Sequence, residues 1–331
     1  MRCAACGVEL APGMLACPAC RRLVHGGRLK GLAAAATTAE GEGRLTDAVA
    51  SLREARELLP AGSKQREVID ASIRRLVDAI DRAGIAPPPK DGRAKGVAGL
   101  SAVGLVLWKL KFVILAVLGK VKLLAFGLAS IPTLLSMLAW VSLDRSRGVA
   151  FALGLLLSIY VHEMGHVSAL QRYGLKATAP MFVPGFGAFV RLRQIPVDAR
   201  EDARIGLAGP IWGAAAAIVA LGIGLALHQR TILTVASVGA MINVFNLIPV
   251  WQLDGGRGFR ALDVKQRLIV AALAAVTGLL LQQPMGFAVA ALGAVRAKSD
   301  LPPRGDARAF HTFAALLVIL AVVARVAGPT V

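Results

Sequence analysis

Beyond Cys20 the 331-residue chain has no cysteine. Disulfides are therefore excluded from everything except the first 20 residues, which hold Cys3, Cys6, Cys17 and Cys20. Residues 1–96 are polar and charged, and the start of the chain has no early apolar h-region, so no secretory signal is expected. In the apolar remainder no PDZ-like insert separates the hydrophobic stretches. No second acidic pathway crosses them either, which argues against zinc transport, a third reading beside that of a zinc sensor. Acidic residues are scarce, 20 against 38 Lys and Arg, a formal net charge of +18. Such an excess can signal nucleic-acid binding. Here the basic residues fall mostly between apolar stretches, as in the cytoplasmic loops of membrane proteins, so nucleic acid is not an expected partner.

What is abundant is hydrocarbon. Hydrophobic residues make up 56% of the chain and mean hydropathy is +0.63, above the roughly 45–50% apolar content of soluble domains. Most of that excess lies in 97–331. The division predicts a mainly α protein: a soluble N-terminal part followed by a polytopic helical membrane part.

The four cysteines form C-x2-C, ten residues, then C-x2-C, a spacing suited to one tetrahedral zinc ion in a compact zinc ribbon over 1–27. A pair of disulfides is the alternative and would need an oxidising compartment. Residues 28–86 read as a small helical module. Ala48, Leu52, Ala55 and Pro60 have the spacing of the second helix of a tetratricopeptide repeat. A plain helical hairpin fits the same residues. A second stripe, Val68, Ile69, Ile73, Leu76, Val77 and Ile80, marks a helix over about 64–83. Pro87-Pro88-Pro89 opens a stiff linker over 87–96.

Residues 97–124 are apolar but carry Lys109, Lys111, Lys120 and Lys122. They are read as an interfacial helix, with a spanning helix as the alternative. The membrane domain is placed at 125–331, with spans near 125–143, 148–171, 204–227, 231–250, 268–282, 284–296 and 309–328. Lys and Arg number six in 172–204, four in 257–267 and four in 296–308, against few in the intervening loops. The positive-inside rule then puts the N-terminus in the cytosol and the C-terminus outside, with the parity of 268–296 left open.

Within the second span stands His162-Glu163-Met164-Gly165-His166. Positions i and i+4 share one helix face, so both imidazoles can reach one metal ion, and the adjacent Glu can act on water at that metal. Three ionisable groups at membrane depth are costly and usually mark function. Two His leave the metal short of a third protein ligand. The best candidate is Asp254, in Asn246-Leu-Ile-Pro249-Val-Trp251-Gln252-Leu-Asp254-Gly255-Gly256. It follows the fourth span, which by charge alternation ends on the same side as the His helix.

These two motifs, H-E-x-x-H on a membrane helix and N-x2-P-x4-D-G about 80 residues later, resemble the site-2 protease family of intramembrane zinc metalloproteases over roughly 125–260. The resemblance implies a catalytic zinc on His162, His166 and Asp254, with Glu163 as general base on a zinc-activated water. Asn246 would hold substrate or polarise its carbonyl, and Asn243 is a weaker supporting candidate. The spacer Val250-Trp251-Gln252 departs from the smaller spacers of relatives. Phe182-Val-Pro184-Gly185-Phe-Gly187-Ala-Phe189 reads as strands bent by Pro and Gly and resembles the family's short membrane-associated β-hairpin. Gly185, Gly187 and Phe189 are its candidate substrate-binding residues. Leu207-Ala208-Gly209-Pro210 supplies small residues for close helix packing.

The implied function is zinc endopeptidase action on membrane protein substrates, with one catalytic and one structural zinc. The implied setting is a multi-pass protein in the lipid bilayer of a prokaryotic cytoplasmic membrane. The alternative is a non-catalytic membrane scaffold whose ribbon and helical module bind a cytosolic protein partner.

Overall fold

The structure, a computed structural model, describes residues 2–83, 148–176, 181–183, 187–189, 194–250 and 253–328. The linker 87–96, the helix expected over 97–124, the span expected over 125–143, Gly185 and the Trp251-Gln252 spacer lie outside the described residues. What is described is mainly helical.

The first 25 residues form two knuckles, closed by isolated bridges between Arg2 and Glu9 and between Ala16 and Leu23. Three helices follow: α1 Gly26–Gly41, α2 Leu45–Glu57 and α3 Lys64–Arg82. Ser63 caps α3 by accepting from the Arg66 N–H. The inner face of α3 carries Ile73, Leu76, Val77 and Ile80, the i, i+3, i+4, i+7 stripe of an amphipathic helix. Val68, expected in that stripe, points outward and is 66% exposed. A helix turns 100° per residue, and Val68 falls beyond the edge of the buried arc.

Helix α4, Gly148–Arg172, carries the H-E-x-x-H residues and ends at Gly174, which takes the left-handed conformation (φ +64) expected of a helix C-terminal glycine. Strands β1 Met181–Val183 and β2 Gly187–Phe189 pair antiparallel, Met181 opposite Phe189. So short a ladder does not establish the membrane-associated hairpin expected here. Helices α5 Ala199–Ala226 and α6 Arg230–Asn246 pack against α4 and each other. Then come the short α7 Asp254–Arg260, the pair α8 Val264–Leu280 and α9 Pro284–Val295, and α10 Ala307–Ala327.

Among the described residues three helices are long and apolar enough to cross a membrane: α4, α5 and α10. The spans expected at 231–250, 268–282 and 284–296 are helices of 17, 17 and 12 residues. Apolar Val149, Leu153 and Leu157 form an exposed i, i+4, i+8 row on α4, and Ile211, Ile218 and Ile223 are exposed on α5. Apolar rows facing outward suit lipid rather than water.

The main core joins α5, α6, α7, α8, α9 and α10, with Leu207, Leu247, Phe259, Val270, Phe313 and Leu320 all buried. A second core is shared between the two parts of the chain. Ala48, Val49, Ile73, Leu76, Val77 and Ile80 pack with Ala169, Leu170, Tyr173 and Leu175 after the His motif, and with Ile205 of α5. The N-terminal helices dock on the end of α4 and the start of α5.

Candidate metal centres

Helical geometry brings His162 and His166 to one face of α4, and both are buried. Their Nε2 atoms lie 3.2 Å apart. Asp254, the first residue of α7, reaches both: Oδ2 is 3.0 Å from Nε2 of His162 and Oδ1 is 3.2 Å from Nε2 of His166. Donors about 2.0–2.2 Å from a tetrahedral zinc ion sit about 3.3 Å from one another, so the three fit such an ion.

The remaining ring nitrogens are also held. Nδ1 of His166 lies 2.9 Å from the Ile205 carbonyl, and Nδ1 of His162 lies 2.8 Å from Oδ1 of Asn243. Asn243 donates through Nδ2 to the Gly239 carbonyl at 2.8 Å, which turns its oxygen toward the imidazole. Each Nδ1 therefore carries the proton and donates it, leaving both Nε2 lone pairs free for a metal. Such outer partners are the usual accompaniment of ligating histidines.

Glycine completes the cavity. A Cβ at Gly209 would collide with the Nε2 atoms of His166 and His162, and one at Gly213 would strike the Asn243 amide. The small-residue run in α5 does more than allow helix packing: it opens the space in front of the donors. Pro210 within α5 leaves the Gly206 carbonyl without its helical donor.

Glu163 is buried beside His162. Asn246, the last residue of α6, is half-buried and makes no side-chain hydrogen bond among the described residues. It is Asn243, one turn earlier, that touches a ligand residue. Gly187 and Phe189 lie in β2, alongside α4. The sequence carried no residue-type signal for the Ile205 carbonyl, because any residue can present one.

At the other end of the chain, Sγ of Cys3 is 3.7 Å from Sγ of Cys20, and Sγ of Cys6 is 3.5 Å from Sγ of Cys17. These separations exceed a disulfide's ~2.05 Å. They approach the ~3.8 Å between thiolates on one tetrahedral zinc ion. All four thiols are free, and their sulfurs lie within 4.8 Å of one another. The backbone N–H groups of Ala5 and Cys6 hold the Cys3 thiol down to about 6. Backbone N–H groups, Cys20's foremost, likewise lower Cys17. Cys6 goes the other way: the Val8 N–H pulls it down, but the Cys17 sulfur and burial push it up to about 12. The thiolate is the form that binds metal.

Comparison with known proteins gives the same direction. A zinc metalloprotease of Methanocaldococcus jannaschii is 33% identical over 117 residues, 34% of this chain and 34% of its own. The probable chloroplastic zinc metalloprotease EGY2 of Arabidopsis thaliana is 27% identical over 186 residues, 42% of this chain and 34% of its own. The related EGY1 of the same plant is 27% identical over 169 residues, 37% and 31% of the two chains. The chain thus spans about a third of the length of the curated relatives it matches. No solved structure matches. The model of one family, Peptidase family M50, matches residues 150–233, a stretch that holds His162, Glu163, His166 and Gly209 and stops short of Asp254.

Proposed function

We propose that this chain is a zinc metalloendopeptidase that cuts membrane-embedded protein substrates. The observation that carries the reading is the convergence of His162, His166 and Asp254, from helices far apart in sequence, on one buried point with donor spacings suited to zinc. Similarity to named zinc metalloproteases supports it.

Zinc held there supplies Lewis acidity toward water and toward the scissile carbonyl. His162 and His166 are kept in the ligating tautomer by Asn243 and the Ile205 carbonyl. Glu163 takes a proton from the attacking water on its carboxylate and returns it to the leaving amide nitrogen. Asn246, whose side chain makes no hydrogen bond among the described residues, is available to the substrate carbonyl. Backbone of β1 and β2, with Gly187 and Phe189, can pair with an unwound substrate segment. Substrate helices must unwind first, since helical amides are hydrogen-bonded and shielded.

The four-cysteine knuckles act as a structural zinc ribbon, and the helical module, tetratricopeptide-like in α2, sits on the cytosolic side of a multi-pass protein in a prokaryotic cytoplasmic membrane. The test is cleavage of a single-pass substrate by purified protein in lipid nanodiscs. Glu163→Gln is expected to slow cleavage at least about 100-fold, the scale of general-base loss, while zinc content at the His/Asp site is kept. Wild-type cleavage by Glu163→Gln sinks the assignment of the base. A wild-type protein that binds membrane proteins but never cuts them favours the scaffold.

A further inference from the structure

Arg53 is a charged residue in an unusual place. It projects from α2 into the contact between the N-terminal module and the membrane helices, and it is 2% exposed. Its guanidinium has two destinations. Nε donates to the Tyr173 carbonyl at 3.0 Å, just past the end of α4. Nη2 donates to the carboxylate of Glu201, in the first turn of α5, which is 1% exposed. A planar guanidinium holds two acceptors in fixed relation, so Arg53 fixes the end of one helix against the start of the next.

Those two helix ends lead directly to a metal ligand. Tyr173 lies two turns beyond His166 on the same helical segment. Glu201 lies one turn before Ile205, whose carbonyl accepts from Nδ1 of His166 at 2.9 Å. The contacts close a ring: Arg53, Tyr173, α4, His166, Ile205, α5, Glu201 and back to Arg53. The Ile205 side chain is fully buried in the core that the module shares with α4. The fit is tight along the seam. Thr46 Oγ1 donates to the Arg172 carbonyl at 3.2 Å, and a Cβ at Gly174 would come within 2.9 Å of Ala50 N and Thr46 O. Tyr173 donates to Asp81 at 2.7 Å, and Arg204 joins Asp81 to Asp306.

We propose that Arg53 and Glu201 are positioning residues for His166, so that the N-terminal helical module is part of the scaffold of the His/Asp metal centre. A buried ion pair is seldom the best route to stability, since apolar residues of like volume often serve as well. A directional one, set between two helix ends that carry a ligand and its outer partner, serves geometry. The proposal rests on the reading that His162, His166 and Asp254 hold a metal.

The test is cobalt titration of the full chain in detergent after removal of zinc. Cobalt at the four cysteines shows near-ultraviolet sulfur-to-metal charge transfer and strong long-wavelength d–d bands, whereas cobalt at the His/Asp site shows no thiolate charge transfer and weaker d–d bands at shorter wavelength, so the two sites are read separately. The variant Arg53→Met/Glu201→Gln removes both charges together and keeps an acceptor for the Val197 N–H that Glu201 now binds. It is expected to weaken cobalt binding at the His/Asp site about tenfold, the low end for outer partners of ligands, and to alter the d–d spectrum. The thiolate band should titrate as in wild type. Arg53→Lys keeps the charge pair but cannot fork, and should move affinity the same way by less. Leu59→Ala, a buried position in the module away from this seam, controls for stability and should leave cobalt affinity within about twofold while lowering the unfolding temperature. Wild-type affinity and spectrum in both Arg53 variants overturn the proposal, as does an equal loss in Leu59→Ala. Absence of the shorter-wavelength d–d bands of the His/Asp site from the wild-type chain, with the thiolate bands present, overturns the metal-centre reading itself, and the proposal with it.

Discussion

At the scale of single residues, the centre depends on atoms that are absent as much as on those present. Gly209 faces both imidazoles, and a methyl group there would occupy the space in front of their Nε2 atoms. Gly209→Ala should therefore empty the site without unfolding the helix, because alanine is the better helix former by about 0.5–1 kcal/mol. Zinc per chain, measured by elemental analysis, is expected to fall by one equivalent relative to the unsubstituted chain. Cleavage should fall at least about 100-fold, as misplaced reacting groups commonly cost. Full zinc occupancy in Gly209→Ala would show that the cavity relaxes around the methyl. Asn243 works in the opposite sense: its amide is pinned by Gly239 and so can face His162 in one orientation only.

At the scale of elements, Asp254 is delivered by α7, a helix of seven residues. Isolated helices that short do not persist in water, so α7 must be held from outside. Asp202 of α5 does this with one carboxylate, accepting from Arg257 Nε at 2.8 Å and from Arg260 Nη2. On the other flank buried Arg267 donates to the Phe259 carbonyl at 3.1 Å and lies over the Phe259 ring, 5.0 Å from its centroid. Gly255 packs so closely on the Leu247 backbone that a Cβ could not be accommodated. Asp202→Asn keeps the shape and removes the charge that holds two arginines. It is expected to lower zinc affinity at the His/Asp site by roughly three- to tenfold, within the range for groups that orient ligands, as read by competition with a chelator of known affinity. Unchanged affinity with a lower unfolding temperature would mean that Asp202 serves stability alone.

At the scale of the whole molecule, the N-terminal helices and the H-E-x-x-H helix region share a core. Removing residues 1–82 would uncover Leu170, Tyr173, Leu175 and Ile205, all now at most 4% exposed. Each large apolar side chain so exposed costs about 1.5–3 kcal/mol. The shortened chain is expected to unfold at a lower temperature and to aggregate in detergent, which thermal unfolding followed by light scattering would register. A shortened chain as stable as the full one would mean that the module is a separable appendage. The shared core is formed by residues on either side of Pro87-Pro88-Pro89, and composition does not report that Val49 and Ile205 belong to one buried cluster.

The sequence by itself determined whatever depends on near neighbours along the chain. Helical periodicity puts His162 and His166 on one face, and the paired C-x2-C units set four thiols within reach of one ion. The apolar stripe of Ile73, Leu76, Val77 and Ile80 marked an inner face that is indeed buried. The pairing of Asp254 with the histidines was legible too, through a spacing motif rather than through any local rule. Only the tertiary structure decided which atoms complete the centre. A backbone carbonyl such as that of Ile205 has no residue-type signature. Gly209 reads in sequence like any small residue on a packed helix. Arg53 and Glu201 look like two of many surface charges until folding brings them, 148 residues apart, into the same dry contact. These are choices made by packing, where distance along the chain carries no information about distance in space.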